Sequence, residues 1–228
     1  MGQYYNPVIS SPDTLALNMD AANVRSYAGS GNTWFDLSAY SNSGALTSVT
    51  FGGSGATSAL VFNGTTSLVN LGTPNGGNVT SSWTLESWIR PTTSGEGSAG
   101  RVYQHSTGSL TGFICSLSGT SPANLRLDTY AVSGFNAVLS SCVTLNSWQQ
   151  VVWAFSAGSV TFYVNGAAVG TSSITTPSSY TGSDYIGNNS GATNTFNGSI
   201  SLVRLYRNTL TAAEVLQNFN AHRSRYGI

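Results

Sequence analysis

Charged residues are the scarcest class in this chain of 228 residues. Asp, Glu, Lys and Arg together make up 7% of the sequence, lysine is absent and the net charge is zero, whereas about a quarter of an average globular protein is charged. No charged side chain occurs from Leu37 to Leu85 or from Thr129 to Ser183. Because no basic cluster attracts phosphates or anionic lipids, we expect neither nucleic acid nor a membrane surface as partner.

A basic leader and long apolar runs are also missing. Met1–Asn6 carries no basic region followed by an apolar stretch, which predicts that this N-terminus is not a secretory signal. No apolar run is long enough to cross a bilayer. We therefore expect a chain that is made in a cytoplasm and does not insert into membranes.

The chain has only two cysteines, and both lie in strand-like segments. Cys115 falls within Gly112–Leu117 and Cys142 within Val138–Val143. Free cysteines are often buried in cores, so buried free thiols are one interpretation and a disulfide is the other. Since 40% of the residues are apolar, a core can form without a disulfide.

Short β-rich segments recur between clusters of Gly, Ser, Asn and Pro, a pattern typical of an all-β sandwich. The clearest hairpin joins Ser159–Val164 to Ala167–Gly170 through Asn165-Gly166, the preferred pair for a type I′ turn. The other predicted strands are Ala59–Phe62, Leu68–Leu71, Trp83–Arg90, Arg101–His105, Gly112–Leu117, Leu125–Tyr130, Trp148–Phe155 and Ser199–Tyr206.

One helix is predicted, after Leu210. Thr211 and Glu214 have the spacing of a capping box, in which each side chain satisfies a free backbone N–H of the first turn. The helix should end near His222 or Arg223, with His222 as a cation at its C-terminal end. Its apolar stripe is formed by Val215, Leu216 and Phe219.

Six motifs stand in the order found in laminin-G-like, concanavalin A-like jelly-roll domains, and the chain resembles this family over roughly residues 58–220. The resemblance implies an all-β fold of two antiparallel sheets packed face to face, with partners bound at the loops or on the concave sheet. The motifs are Phe62–Gly64, Trp83–Pro91, Trp148–Val152, Phe162–Gly166, Tyr185–Gly187 and Phe196–Tyr206.

Both ends of the chain are similar to the corresponding ends of such modules in virion proteins of tailed phages, especially marine phages. This resemblance implies a complete module over residues 14–228, preceded by an N-terminal arm at 1–13. The segments that carry it are Leu15–Asn23, Ser26–Trp34, Asp36–Ser38, Leu210–Asn220 and Arg223–Ile228.

Catalytic chemistry has little support in the sequence. The glucanases of this fold need two carboxylates about 5 Å apart, but no two of the eight acidic residues lie within six residues of each other. The two histidines, His105 and His222, lie in no Ser- or Cys-centred elbow motif. We therefore expect no enzymatic activity, and a laminarinase-like hydrolase is the least favoured alternative.

Two regions combine aromatic and carboxylate side chains in the way that saccharide binding needs. Trp34 and Asp36 form one candidate pair, and Tyr180 and Asp184 form the other. Each pair is equally suited to anchoring its loop on the sandwich, so both interpretations remain open.

Calcium is the only metal for which candidate ligands stand out, because related laminin-G domains bind it through clustered oxygen atoms. The candidates are Asp20, Asp36 and Asn42. The favoured alternative is that Asp36 and Asn42 organise turns. No other cofactor is expected.

The leading hypothesis is a non-enzymatic surface protein of a phage virion, such as a capsid decoration, head fibre or tail component, that binds other virion proteins and host glycans. The alternative is a free carbohydrate-binding lectin. The N-terminal arm carries apolar groups that a sandwich does not need, which predicts a docking arm and a homo-oligomer, with a disordered terminus as the alternative. These arm residues are Tyr4, Tyr5, Val8 and Ile9.

Overall fold

The computed structural model describes residues 9–75, 81–106, 111–131 and 134–228. The strands form two antiparallel sheets packed face to face, and one short α-helix follows the last strand, which confirms the predicted sandwich. In chain order the strands are β1 (Leu15–Asp20), β2 (Thr33–Trp34), β3 (Gly44–Thr47), β4 (Thr50–Gly52), β5 (Ala59–Asn63), β6 (Leu68–Gly72), β7 (Ser82–Pro91), β8 (Arg101–Ser106), β9 (Gly112–Ser118), β10 (Ala123–Tyr130), β11 (Gly134–Val143), β12 (Gln149–Ser156), β13 (Ser159–Val164), β14 (Ala167–Ser173), β15 (Asp184–Ile186) and β16 (Asn197–Tyr206).

Each sheet has eight strands. The first sheet has the order β14-β13-β12-β7-β16-β5-β4, and β1 pairs with the C-terminal part of β16. The second sheet has the order β11-β10-β9-β8-β15-β6-β3-β2. The helix, α1, spans Ala212–His222, and 3-10 turns occur at Pro12–Thr14, Gly55–Thr57, Glu96–Ser98 and Arg223–Tyr226.

The Asn165-Gly166 hairpin forms as predicted. Both turn residues have left-handed backbone angles, with φ of 50° at Asn165 and 78° at Gly166. Val164 and Ala167 are therefore direct partners across β13 and β14, as a two-residue type I′ turn requires.

The core lies between the two sheets and is built on the inward face of β7. The Trp83 ring stacks on Phe113 of the second sheet, with centroids 3.9 Å apart, and on Phe155 of β12 at 5.4 Å.

Both cysteines are free. Cys115 is buried on β9, where burial raises its pKa, and Cys142 is half-buried on β11. The strand β10 lies between them.

The outer face of the first sheet is covered by the C-terminal segment. Trp88 of β7 stacks on Phe219 of α1 and on Tyr226 of the following 3-10 turn, with centroids 5.8 Å and 4.1 Å apart. The predicted apolar stripe is correct for Val215 and Phe219, but Leu216 is 46% exposed because it lies on the solvent side of the helix.

No helix in the described part of the chain is long and apolar enough to cross a membrane.

The described end of the N-terminal arm also packs on this face. Ile9 contacts the apolar cluster that contains Leu15 and Val215, and the Ser10 backbone N–H donates to Asn218 of α1 at 2.9 Å. The other candidate arm residues, Tyr4, Tyr5 and Val8, lie outside the described residues. The division into an arm and a domain therefore stays a prediction.

A buried polar network joins α1 to the first sheet. The Glu86 carboxylate, 1% exposed, accepts hydrogen bonds from Gln150 of β12 and Asn218 of α1, both at 2.9 Å. Arg204 of β16 lies 3.7 Å from it. Burial, followed by the charge of Glu86, raises the pKa of Tyr206, whose hydroxyl donates a hydrogen bond to the same carboxylate.

His222 belongs to this network as a neutral side chain, so its interpretation as a helix-end cation is wrong. Its Nε2 faces Arg204 at 3.0 Å and its Nδ1 faces the Asn218 carbonyl at 3.1 Å. Because the guanidinium can only donate, Nε2 must accept and Nδ1 must carry the proton. Burial and the charge of Arg204 lower the pKa of His222 to about 3.

This burial predicts that acid destabilises the protein through His222. The imidazole gains a proton in the unfolded chain below its ordinary pKa of 6.5 but not in the folded chain until about pH 3. Unfolding therefore takes up a proton in this window, and the free energy of unfolding should fall by about 2 kcal/mol between pH 7.5 and pH 5. His222→Gln should lack this component in urea titrations at the two pH values, because the other titratable groups are the same in both proteins. An equal pH dependence in both would contradict the assignment.

Candidate functional site

The outer face of the second sheet carries a cleft built on three neighbouring strands. Arg101 of β8 and Arg126 of β10 both lie opposite Ser116 of the central strand β9. Successive side chains of a strand point to opposite faces, so the buried core residues Cys115 and Leu117 place Ser116 on the outer face. The cleft, called the Arg cleft below, is lined by Ala99, Arg101, Ile114, Ser116, Arg126, Asp128, Tyr130 and Asn194.

Hydrogen bonds hold the two guanidinium groups in place. Arg126 reaches both oxygens of Asp128, with the closest contact at 2.6 Å between Nη2 and Oδ1. Arg101 donates to Gln104 and, at 3.0 Å, to the side-chain oxygen of Asn194. Two amide side chains and one carboxylate thus fix the two cations.

Burial alters the titration of several of these groups. Desolvation lowers the pKa of Arg101, whereas the hydrogen bond to Asp128 raises the pKa of Arg126. Burial and then the charge of Asp128 raise the pKa of Tyr130. At neutral pH the cleft therefore offers guanidinium and phenol donors beside carboxylate and amide acceptors.

Asp128 is the only carboxylate that lines the Arg cleft, although all eight acidic residues fall within the described residues. A retaining glycosidase needs a second carboxylate about 5 Å away. Glu86, on the outer face of the other sheet, is covered by α1. The cleft can therefore bind through hydrogen bonds, but it does not hold a pair of carboxylates.

Trp34 and Asp36, the first candidate pair for saccharide binding, stabilise the fold in this structure. Trp34 is 0% exposed and belongs to the core, so its ring offers no surface for stacking on a sugar. The Asp36 carboxylate accepts hydrogen bonds from the backbone N–H groups of Asn18, Ser38 and Asn42 at 2.8, 2.9 and 2.8 Å. It also accepts from the Ser38 hydroxyl at 2.6 Å.

The structure brings the second predicted pair together, but inside the protein. Asp184 is 0% exposed and lies 2.7 Å from Nδ1 of His105. It also accepts a hydrogen bond from the Tyr103 hydroxyl. The Tyr180 ring meets His105 edge-on at 4.9 Å, and its hydroxyl donates to the Ser183 carbonyl.

The calcium candidates do not converge on one point. Both oxygens of Asp20 accept from Arg225, at 2.8 and 2.9 Å, which lowers the pKa of Asp20 although burial, the largest influence, raises it. The Asn42 side chain bonds Asn75 and the Ala16 carbonyl. Within the described residues no group of three or more His, Cys, Asp or Glu side chains can hold a metal ion.

The family model described as the concanavalin A-like lectin/glucanases superfamily, Laminin_G_3, matches residues 63–216. The chain belongs to this superfamily. The resemblance drawn from the motifs is therefore confirmed at this level, whereas the likeness of the chain ends to phage virion proteins stays a prediction. No curated protein matches the sequence.

Solved structures share the fold at low sequence identity. The binding domain of Paraclostridial Mosquitocidal Protein 1 aligns with a TM-score of 0.66 and 17% identity, over 92% of this chain and 52% of that one. The binding domain of botulinum neurotoxin DC in complex with SialylT gives 0.64 and 15%, over 92% and 52%. This chain thus spans about half the length of the toxin domains.

One similar structure has the same extent as this chain. Domain 4 of AbnA, a GH43 extracellular arabinanase from Geobacillus stearothermophilus, was solved in complex with arabinotriose. It aligns with a TM-score of 0.62 and 17% identity, over 92% of this chain and 98% of that one. At this identity the likeness shows the fold.

The residues of the Arg cleft were not among the sequence candidates. A usable signal was present in Leu125–Tyr130, because Arg126, Asp128 and Tyr130 alternate with apolar Leu125 and Leu127. Such alternation places the three polar side chains on the outer face of a strand. The alignment with Arg101, however, depends on the register of β8, β9 and β10.

We expect Asp36 to act as a turn organiser. Asp36→Ala leaves three backbone N–H groups without their acceptor, which should lower the free energy of unfolding by roughly 2–4 kcal/mol in urea denaturation. The control Asp13→Ala changes an exposed carboxylate and should stay within about 0.5 kcal/mol of the parent. A rise in Tm with calcium that disappears in Asp36→Ala would instead identify Asp36 as a metal ligand.

Proposed function

We propose that the chain is a non-catalytic carbohydrate-binding module whose ligand occupies the Arg cleft. The observation that carries the proposal is the outer face of the second sheet, where two guanidinium groups, a carboxylate, an amide and a tyrosine line one cleft. The chain is otherwise poor in charge. Concave sites with a few convergent polar groups are the usual places of ligand binding.

The chemistry of the cleft suits a polyhydroxylated ligand. A sugar hydroxyl both donates and accepts hydrogen bonds, so its site needs donors and acceptors within a few ångströms of each other. Arg101 and Arg126 supply donors, and Asp128 and Asn194 supply acceptors. Tyr130 is half-buried and adds an aromatic face with a polar end, a combination that serves surfaces which are partly apolar and partly wet.

The comparisons support this proposal without locating a ligand. The arabinanase domain bound to arabinotriose has nearly the same extent as this chain. The toxin domains are about twice as long, so a ligand bound by them need not lie in the shared half. The absence of catalysis is part of the proposal, and it rests on the single carboxylate of the cleft.

Truncating Tyr130 should weaken saccharide binding. A glycan array that includes arabinotriose, followed by calorimetry with the strongest binder, would compare the parent with Tyr130→Ala. Loss of a central aromatic contact costs about 1–3 kcal/mol, so we expect Kd to rise about ten-fold or more. The control is Tyr40→Ala, which removes a half-buried tyrosine that contacts Arg207 and does not line the cleft.

Two results would contradict the proposal. A parent protein that gives no saturable signal with any glycan would exclude a lectin function. Equal weakening by Tyr130→Ala and Tyr40→Ala would place the ligand elsewhere or indicate a general loss of folding, which circular dichroism distinguishes.

We also propose a role in a phage virion, supported by the likeness of both chain ends to virion modules. Two edge strands, β11 and β14, lie within the uncharged stretch from Thr129 to Ser183, and uncharged edges lack the usual protection against association. This suits contacts with other virion proteins or a homo-oligomer. Mass spectrometry of purified particles of a phage that carries this sequence should detect the chain, and its absence from them would contradict the role.

A further inference from the structure

The two arginines of the Arg cleft face one another across a small residue. Both are register partners of Ser116, and neighbouring strands are about 4.8 Å apart, which puts the two arginine Cα atoms about 10 Å from each other. Ser116 is buried at the bottom of the cleft, and its short side chain fills little of the space between the two arginines. Both guanidinium groups are long enough to meet a group held there.

The charges of the cleft do not balance. Asp128 is engaged by Arg126, whereas the hydrogen-bond partners of Arg101 are the uncharged side chains of Gln104 and Asn194. Of the donor atoms of Arg126, Nε and Nη2 contact Asp128, and Nη1 makes no hydrogen bond within the described residues. The cleft thus has one net positive charge and an unused guanidinium donor.

Among the described arginines that are buried or half-buried, Arg101 alone has no carboxylate partner. Arg204 and Arg225, the two most buried of the other arginines, are each paired with an acidic residue. Burying a guanidinium group costs free energy unless an anion compensates, and Arg101 is only half-exposed. An anionic group of the ligand would supply this compensation.

We propose that the saccharide bound in the Arg cleft is acidic, and that its carboxylate or sulfate group lies over Ser116 between Arg101 and Arg126. This inference rests on the proposed function and names its substrate class. Guanidinium groups bind both kinds of anion through paired N–H donors. The neutral part of the sugar then faces Asp128 and Tyr130.

The test compares acidic oligosaccharides with matched neutral ones on the same array. The pairs are trigalacturonate with its carboxyl-reduced form, sialyllactose with lactose, and sulfated with unsulfated galactotriose. We expect the acidic member of at least one pair to bind about ten-fold more tightly, and added salt to reduce this preference. The pair that responds distinguishes a carboxylate from a sulfate.

Three variants test whether the preference for acidic oligosaccharides arises in the Arg cleft. Arg101→Gln should remove the preference for the acidic member of the pair, whereas Arg25→Gln, which changes an exposed arginine outside the cleft, should keep it. Ser116→Asp should also remove it, because the new carboxylate occupies the place of the ligand anion. We expect this variant to fold, because Arg101 and Arg126 are the register partners of position 116 and compensate the new charge. Circular dichroism checks this, so Ser116→Asp gives a second test if Arg101→Gln does not fold.

The outcomes separate the two proposals. Equal binding of acidic and neutral members, or binding of neutral members alone, overturns the acidic specificity and leaves a carbohydrate-binding module. A preference that survives both Arg101→Gln and Ser116→Asp also overturns it. No binding to any glycan rejects the proposed function itself.

Discussion

The buried carboxylate of Glu86 is the constraint on which the arrangement of the molecule depends. A buried charge is tolerated only when it is paired and hydrogen-bonded, and the partners of Glu86 come from both neighbouring strands of the first sheet and from α1. These contacts hold the helix against the outer face of that sheet. The helix does not cover the outer face of the second sheet, and the Arg cleft lies on that face.

The scarcity of charge makes each remaining charged group informative. Asp20, Glu86 and Asp128 are each paired with an arginine, and Asp36 instead accepts backbone N–H groups. Most carboxylates therefore stabilise loops or element contacts. In an average protein one unpaired arginine on a sheet would carry little information, because about a quarter of the residues are charged. Here Arg101 differs from the other arginines without a carboxylate partner, because those are exposed to solvent.

The features that depend only on residues close together in the sequence were predicted correctly. The Asn165-Gly166 turn and the capping box of Thr211 and Glu214 formed as expected, since both are decided within a few positions. Strands β1 to β4 and β15 were missed, and β11 was recognised only as the strand-like segment Val138–Val143. Strands β2, β4 and β15 have two or three residues, which is too few to show an alternation. His222 was misjudged because its neutral state depends on Arg204, a partner 18 residues away that the fold brings into contact.

The same distinction explains why the sequence pointed to aromatic groups that the fold buries. Trp34 and Tyr180 lie in polar segments and look exposed, but a chain with few charges uses its aromatic residues to fill the core and to anchor loops. The Arg cleft arises instead from register, since Arg101 and Arg126 are 25 positions apart and meet only because β9 lies between them. Groups fixed on adjacent strands lose little freedom on binding. A saccharide loses much of its conformational freedom when it binds. Donors that are already held in place therefore bind it best.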